Sequence, residues 1–325
     1  MENKAIWNVD WAKDQAANGG RFGPKRVREA VYKNNCEIFQ RWAYPLANGL
    51  QRDLGDRRTF LAGSKVYARV FDVNDAPVQD EPTKTGSINA DCMEVAKDML
   101  DDGYKVAILN LASRRHPCGG YDAGLNAQEE ALCRQSTLSQ SLYQYFDASK
   151  ACVRHAGVPT RYNAYPLDLE FGGIYSPEVT FFREGIKSGY AFREQPYKCG
   201  VITVAALSFR EANRYCNDEL QFMSPDGNFT ERGDAVQMNK VRTIFRLALK
   251  NGNDSVILGA FGCGVNKLPS DKVAEQFKRA LEESEFKNKF KAVVFAIMEG
   301  RGSARKPVEE AGKFAPFYEI FGRWK

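Results

Sequence analysis

Short apolar runs punctuate this chain at 65–73, 106–111, 179–182, 201–207, 255–261 and 292–298. Each has strand length, and several lack the in–out alternation of a half-exposed strand, which predicts strands covered on both faces. Stretches of helical period lie between them. Over 89–102, Cys92, Val95, Ala96, Met99 and Leu100 share one face and Gly103 supplies the stop. The stretch 238–250 does the same with Val241, Ile244, Phe245 and Ala248, ending at Asn251-Gly252. A third, 270–283, opens on Ser270 as a cap and stripes Val273, Ala274, Phe277, Ala280 and Leu281. Residues 21–42 read as helical (Val27, Ala30, Val31, Ile38), and Phe314, Phe317, Tyr318 and Phe321 fall at the spacing of a terminal helix. Residues 1–20 and 75–88 read as loops, and 210–235, with Pro225-Asp226-Gly227-Asn228, as a surface loop. Strands alternating with helices predict an α/β layer fold. With no linker, charge block or repeat, 1–325 reads as a single domain with an N-terminal helical embellishment over about 1–64.

Composition narrows this reading. At 43% hydrophobic and 27% charged residues, the 325-residue chain has the balance of a soluble globular protein. No apolar run reaches the roughly 18 residues of a membrane helix. The first residues hold no apolar core of signal length, which predicts an intracellular, reducing location. The eight cysteines form no CxxC pair, and His116 and His155 stand apart, so no metal site is expected. A net charge of +5 mildly favours anionic ligands but supplies no basic run for specific nucleic-acid binding.

The chemistry concentrates after the 106–111 run. A loop containing Cys118-Gly119-Gly120 leads into a helix opening with Gln128-Glu129-Glu130. Glycines let backbone approach a ligand closely, and carboxylates at a loop–helix junction suit acid/base or ribose-binding work. Asn126 as N-cap would put Glu129 at the third helical position of a capping box, leaving Glu130 without a capping duty. Adjacent helix residues point ~100° apart, so the two glutamates cannot face each other across a scissile bond. Proton transfer then falls to one of them. Cys118 and Cys263 have no base partner in evidence for a nucleophilic role.

A second glycine loop, Gly259-Ala260-Phe261-Gly262-Cys263-Gly264-Val265, follows the 255–261 run and precedes a helix. Strand, glycine turn, helix start is a phosphate-cradling order, although neither the dinucleotide fingerprint nor a P-loop is present. Two such loops after two strands predict a crevice at the strand ends.

These motifs together resemble the microbial-type poly(ADP-ribose) glycohydrolases of the macrodomain superfamily. The family signature is three glycines, six to eight residues, then Gln-Glu-Glu. Cys118-Gly119-Gly120 followed by Gln128-Glu129-Glu130 matches it apart from Cys118. Leu109–Ser113, Leu132–Leu138, Ile174–Pro177 with Val179 and Phe182-Arg183, and Gly259–Val265 share the likeness, which runs from about Arg21 to Phe321. The resemblance implies a three-layer α/β/α macrodomain-like fold with a mixed central sheet. It implies metal- and cofactor-free hydrolysis of ribose–ribose bonds in poly(ADP-ribose), releasing ADP-ribose. The alternatives are a non-catalytic ADP-ribose reader and a hydrolase of mono-ADP-ribosyl linkages on a macromolecule. By the same resemblance Glu130 is the acid/base and Glu129 holds the ribose hydroxyls. Gly119 and Gly120 would let the backbone meet the terminal ribose and diphosphate, and Asn110 would contact that ribose. Gly262, Cys263 and Gly264 would wrap the diphosphate, and Cys118, Gln128, Gly259, Phe261 and Val265 would also bind the ligand. Two departures stand out: Cys118 replaces the first glycine, and Asn266-Lys267 follows where the family has an aromatic.

Overall fold

The computed structural model describes residues 7–147, 158–210, 217–299 and 312–325. Cys152, His155 and Cys216 lie outside the described residues. A seven-stranded mixed sheet runs in the order β3 (Lys65–Tyr67), β6 (Gly173–Arg183), β7 (Phe192–Val204), β5 (Val106–Leu111), β8 (Ser255–Leu258), β9 (Ala292–Ala296), β4 (Lys84–Ile88). Backbone contacts divide the chain into two compact units. The first comprises 1–65, 115–166 and 176–201, and the second 66–114, 167–175 and 202–325.

In the second unit, β5, β8 and β9 are buried along nearly their whole length. That is why their sequences read as unbroken apolar runs rather than alternating ones. β5 pairs with β8, β8 with β9 and β9 with β4, all in parallel. Parallel pairs need crossovers. Helix α4 (Cys92–Asp101) joins β4 to β5, and α9 (Ser270–Glu282) joins β8 to β9. Asp91 caps α4 by accepting from the Met93 N–H at 2.9 Å. Helix α8 (Glu231–Lys250) buries Val241, Ile244, Phe245 and Ala248, as their spacing predicts. Phe245, Phe277, Phe286, Phe290 and Phe295 fill the centre of this core. The terminal helix α10 (Ala315–Phe321) adds Phe317 and Phe321.

The first unit holds α1 (Val9–Asn18), α2 (Gly23–Arg41), the β1–β2 hairpin (Ala43–Pro45, Gln51–Asp53) and α3 (Arg57–Gly63). It also holds α5 (Gln128–Gln135) and α6 (Leu138–Tyr143). Ala12, Val27, Val31 and Tyr190 make a small apolar core that pins α1 to α2.

Several expectations are corrected. Residues 9–18, read as loop, are helical, with Asn8 accepting from the Trp11 N–H at 2.8 Å. Residues 84–88, also read as loop, form the parallel edge strand β4. The 65–73 run is strand only over Lys65–Tyr67. A short helix, α7 (Asn217–Leu220), lies inside the 210–235 segment read as loop, and α8 begins at Glu231, capped by Thr230, so the loop is shorter than its composition suggested. The cap of α9 is Pro269, and Ser270 is its first helical residue.

Candidate active site

The first unit brings Cys118, Gly119, Gly120, Gln128, Glu129 and Glu130 together. Two residues in a row take the left-handed conformation, Cys118 at φ +63° and Gly119 at φ +53°. This reversal turns backbone N–H groups towards the start of α5. Cys118 N donates to Glu129 Oε1 at 3.1 Å, and Gly120 N donates to Glu130 Oε1 at 2.9 Å. Ala127 N donates to Glu130 Oε2 at 3.0 Å. Both carboxylates are thus clasped by main chain, and both are buried, at 3% exposed for Glu129 and 6% for Glu130.

This arrangement revises the helix start. The N-cap is Ala127, not Asn126, which moves the third helical position from Glu129 to Glu130. The capping duty expected of Glu129 therefore belongs to Glu130. A carboxylate offers about four lone-pair sites, and these two N–H groups take one on each oxygen of Glu130. Sites remain for a sugar hydroxyl or a water.

The glycines have a different immediate reason than ligand approach. A β-carbon at Gly119 would overlap Glu130 Oε1 and lie 3.2 Å from Glu129 Oε2. One at Gly120 would overlap the Leu125 side chain. The Gly119 N–H is itself taken, donating to His116 O at 3.2 Å. These positions stay bare because the protein's own side chains occupy the space.

Cys118 does not obstruct this turn. It is fully buried, and its thiol bonds with Cys133 and Tyr143, so the side chain leaves the clasp on the interior side. Burial pushes both the Cys118 and Cys133 thiols up from the usual thiol range, which keeps them protonated and unsuited to nucleophilic attack.

Tyr165 was missed by sequence reading. It is 3% exposed, its hydroxyl has no partner among the described residues, and its ring meets Phe146 edge-on at 6.0 Å. Burial first, and then the Glu129 charge, hold its phenol well above the usual range, so it remains a hydrogen-bond donor. Nothing in the local sequence marks it, because its partners are more than ten residues away.

The remaining candidates belong to the second unit. Asn110 is wholly buried in β5, donating from Nδ2 to Thr203 Oγ1 at 3.2 Å. In the 259–265 loop, Gly262 at φ +79° has no room for a β-carbon, which would overlap Leu268 and lie 2.7 Å from the Ala206 Cβ. The Leu268 N–H closes the turn onto Gly262 O at 3.0 Å. Among the described residues nothing accepts from the N–H groups of Gly262, Gly264 and Val265, and Gly264 and Val265 are exposed. Cys263 interrupts the series, its N–H donating to Ala260 O at 3.0 Å, and the adjacent exposed amides of Gly264 and Val265 suit an anion. Phe261 turns its ring into the core against Phe277, leaving only backbone for a ligand. Cys263 is buried too, its thiol pushed up to about 12 by desolvation. Among the described residues no three His, Cys, Asp or Glu side chains gather as a metal site, and no helix is long and apolar enough to cross a membrane.

The microbial-type PARG catalytic-domain model matches residues 33–184. No curated protein matches the chain. Among solved structures, the poly(ADP-ribose) glycohydrolase (PARG) from Thermomonospora curvata aligns with a TM-score of 0.67 at 24% identity, over 91% of this chain and 100% of that one. The same enzyme bound to the inhibitor ADP-HPD aligns at 0.64 and 24% identity, over 90% and 99%. The Deinococcus radiodurans PARG in complex with ADP-ribose aligns at 0.58 and 21% identity, over 81% and 96%. These likenesses establish the fold. The segment that the microbial-type PARG catalytic-domain model matches, residues 33–184, contains the whole clasp, turn and glutamates alike.

Proposed function

We propose that this protein hydrolyses ribose–ribose O-glycosidic bonds in poly(ADP-ribose) and releases ADP-ribose. Glu130 acts as the acid/base. It gives a proton to the leaving ribose oxygen as the anomeric carbon takes on oxocarbenium character, then takes one from the incoming water. Glu129, one position away and clasped by the same turn through the Cys118 N–H, holds ribose hydroxyls. The single observation that carries this reading is the clasp. The main-chain N–H groups of Cys118, Gly120 and Ala127 fix two buried carboxylates at a helix start, so their position is set before substrate arrives, and preorganisation of this kind is what positioning catalysis requires.

On the same reading the 259–265 amides take diphosphate, Asn110 and Gln128 take ribose contacts, and the chain works as one domain inside the cell. The solved relatives support the substrate class, since their structures hold ADP-ribose and the inhibitor ADP-HPD. The test is direct. Purified protein is incubated with poly(ADP-ribose) and free ADP-ribose is followed by chromatography. Release that disappears with Glu130→Gln, beyond what an equally destabilised Gly119→Ala loses, supports the assignment. Tight binding without release would make the protein a reader, and release only from mono-ADP-ribosylated protein or nucleic acid would make it a hydrolase of that linkage.

A further inference from the structure

We propose that Asn35 is a positioning residue that holds the two halves of the carboxylate clasp at one fixed separation. The consequence for turnover rests on the reading of Glu130 given above. Asn35 lies in α2, wholly buried. Its side-chain NH2 donates to Tyr121 Oη at 2.8 Å and to Arg134 O at 2.8 Å. Its Oδ1 accepts from Arg183 Nε at 2.7 Å. One carboxamide therefore touches the loop beside the 118–120 turn, the far end of the glutamate helix, and a buried cation.

Its orientation is forced. A guanidinium only donates, so Oδ1 must face Arg183 and the NH2 must face Tyr121 and Arg134. Arg183 cannot drift, because it also donates to Asn34 Oδ1 and to Tyr190 O, and its guanidinium lies 4.2 Å from the Phe192 ring centre. A flipped amide would set donors against donors.

From Asn35 the structure closes into a circuit. Tyr121 follows Gly120, whose N–H holds Glu130. Arg134 stands one helical turn after Glu130, and its guanidinium donates to Leu125 O at 2.7 Å and Asn126 Oδ1 at 3.4 Å. The loop before the glutamates is thus tied to the helix after them, and Asn35 ties that helix back to the turn. Small displacements of a proton shuttle are expensive in rate. A linker between turn and helix consequently acts on turnover more than on binding.

The experiment compares Asn35→Leu, Tyr121→Phe and the double variant. Tyr121→Phe removes a single hydroxyl and serves if Asn35→Leu does not fold. Amide hydrogen exchange is read at Gly120, Ala127, Phe39 and Thr180, and kcat and KM are measured on poly(ADP-ribose). We expect Gly120 and Ala127 to exchange about tenfold faster while Phe39 and Thr180 change little. We expect kcat to fall about tenfold with KM nearly constant, and the double variant to fall no further than the worse single one. Uniformly faster exchange, additive losses, or unchanged kcat in folded protein would each overturn the proposal. If the unaltered protein releases no ADP-ribose, the functional reading fails, and the exchange pattern still decides the positioning claim.

Discussion

The clasp makes a sharp prediction at Gly119. Replacing it with alanine adds one carbon at a left-handed position, φ +53°. An L-residue there costs about 1–2 kcal/mol. That carbon also overlaps Glu130 Oε1 and stands 3.2 Å from Glu129 Oε2. The Glu130 carboxylate must retreat by roughly half an ångström or more, since a packed interior has no slack to absorb the contact. Retreat strains its bond from Gly120, and a hydrogen bond to a charged group contributes about 1.5–3 kcal/mol. The expected loss of stability is therefore about 3–4 kcal/mol, with turnover on poly(ADP-ribose) falling about 10- to 100-fold. Gly49→Ala is the matched control. Gly49 has φ +83° and nothing within 4 Å of a would-be β-carbon. It should lose only the conformational term and keep full turnover. Denaturant unfolding and initial rates of ADP-ribose release measure both. Should Gly119→Ala behave like Gly49→Ala in both assays, the carboxylate is not held as described.

Two further outcomes are expected. Burial pushes the Lys240 ammonium down from 10.5 to about 8; the unfolded chain then binds the extra proton between those values, so stability should rise from pH 8 towards 10.5. At about 1.4 kcal/mol per pH unit the group withholds about 3 kcal/mol at neutral pH, and calorimetry across that window should show the slope disappearing in Lys240→Met. The Cys118 and Cys133 thiols, both raised by burial, should resist iodoacetamide at pH 8 in folded protein and react after denaturation, as read by peptide mass spectrometry; labelling of the native state would contradict their placement.

The parts of the fold that could be read from sequence are those whose reason is local. β5, β8 and β9 are buried, so their apolar runs stand out. β4 does not, because Lys84-Thr85-Gly86-Ser87-Ile88 has no apolar period. It becomes a strand by pairing with β9, and Gly86 is bare because Trp324 lies over it, 2.7 Å from a would-be β-carbon. Both partners are about two hundred residues away in sequence, where no local pattern can announce them. α1 was illegible for a similar reason, being a polar segment fixed by Tyr190 and the α2 face. The site follows the same division. Its glycines and glutamates were visible as a motif, whereas the helix frame was one residue off. Asn126 has the better capping side chain, yet the bonds from Gly120 and Ala127 to Glu130 set the register. Asn35 and Tyr165 carried no mark at all.

The same bonds change what the standard test of Glu130 means. Glutamine keeps the shape of glutamate, but one acceptor oxygen becomes an NH2. Both Glu130 oxygens accept from main chain, at 2.9 Å from Gly120 and 3.0 Å from Ala127. Either rotamer of Glu130→Gln therefore points a donor at a donor, and the variant should lose about 2–3 kcal/mol of stability by leaving one of those N–H groups unpaired. A loss of turnover alone could then report a loosened turn. The comparison with Gly119→Ala separates the two causes. That variant disturbs the clasp to a similar degree and still has the carboxylate, whereas Glu130→Gln cannot shuttle a proton. If Glu130 is the acid/base, release should fall by a further factor of about 100 or more from Gly119→Ala to Glu130→Gln, at comparable unfolding free energies and with ADP-ribose affinity within about tenfold of the unaltered protein. Equal residual rates at equal stability would assign the glutamate to scaffolding and move the proton chemistry elsewhere.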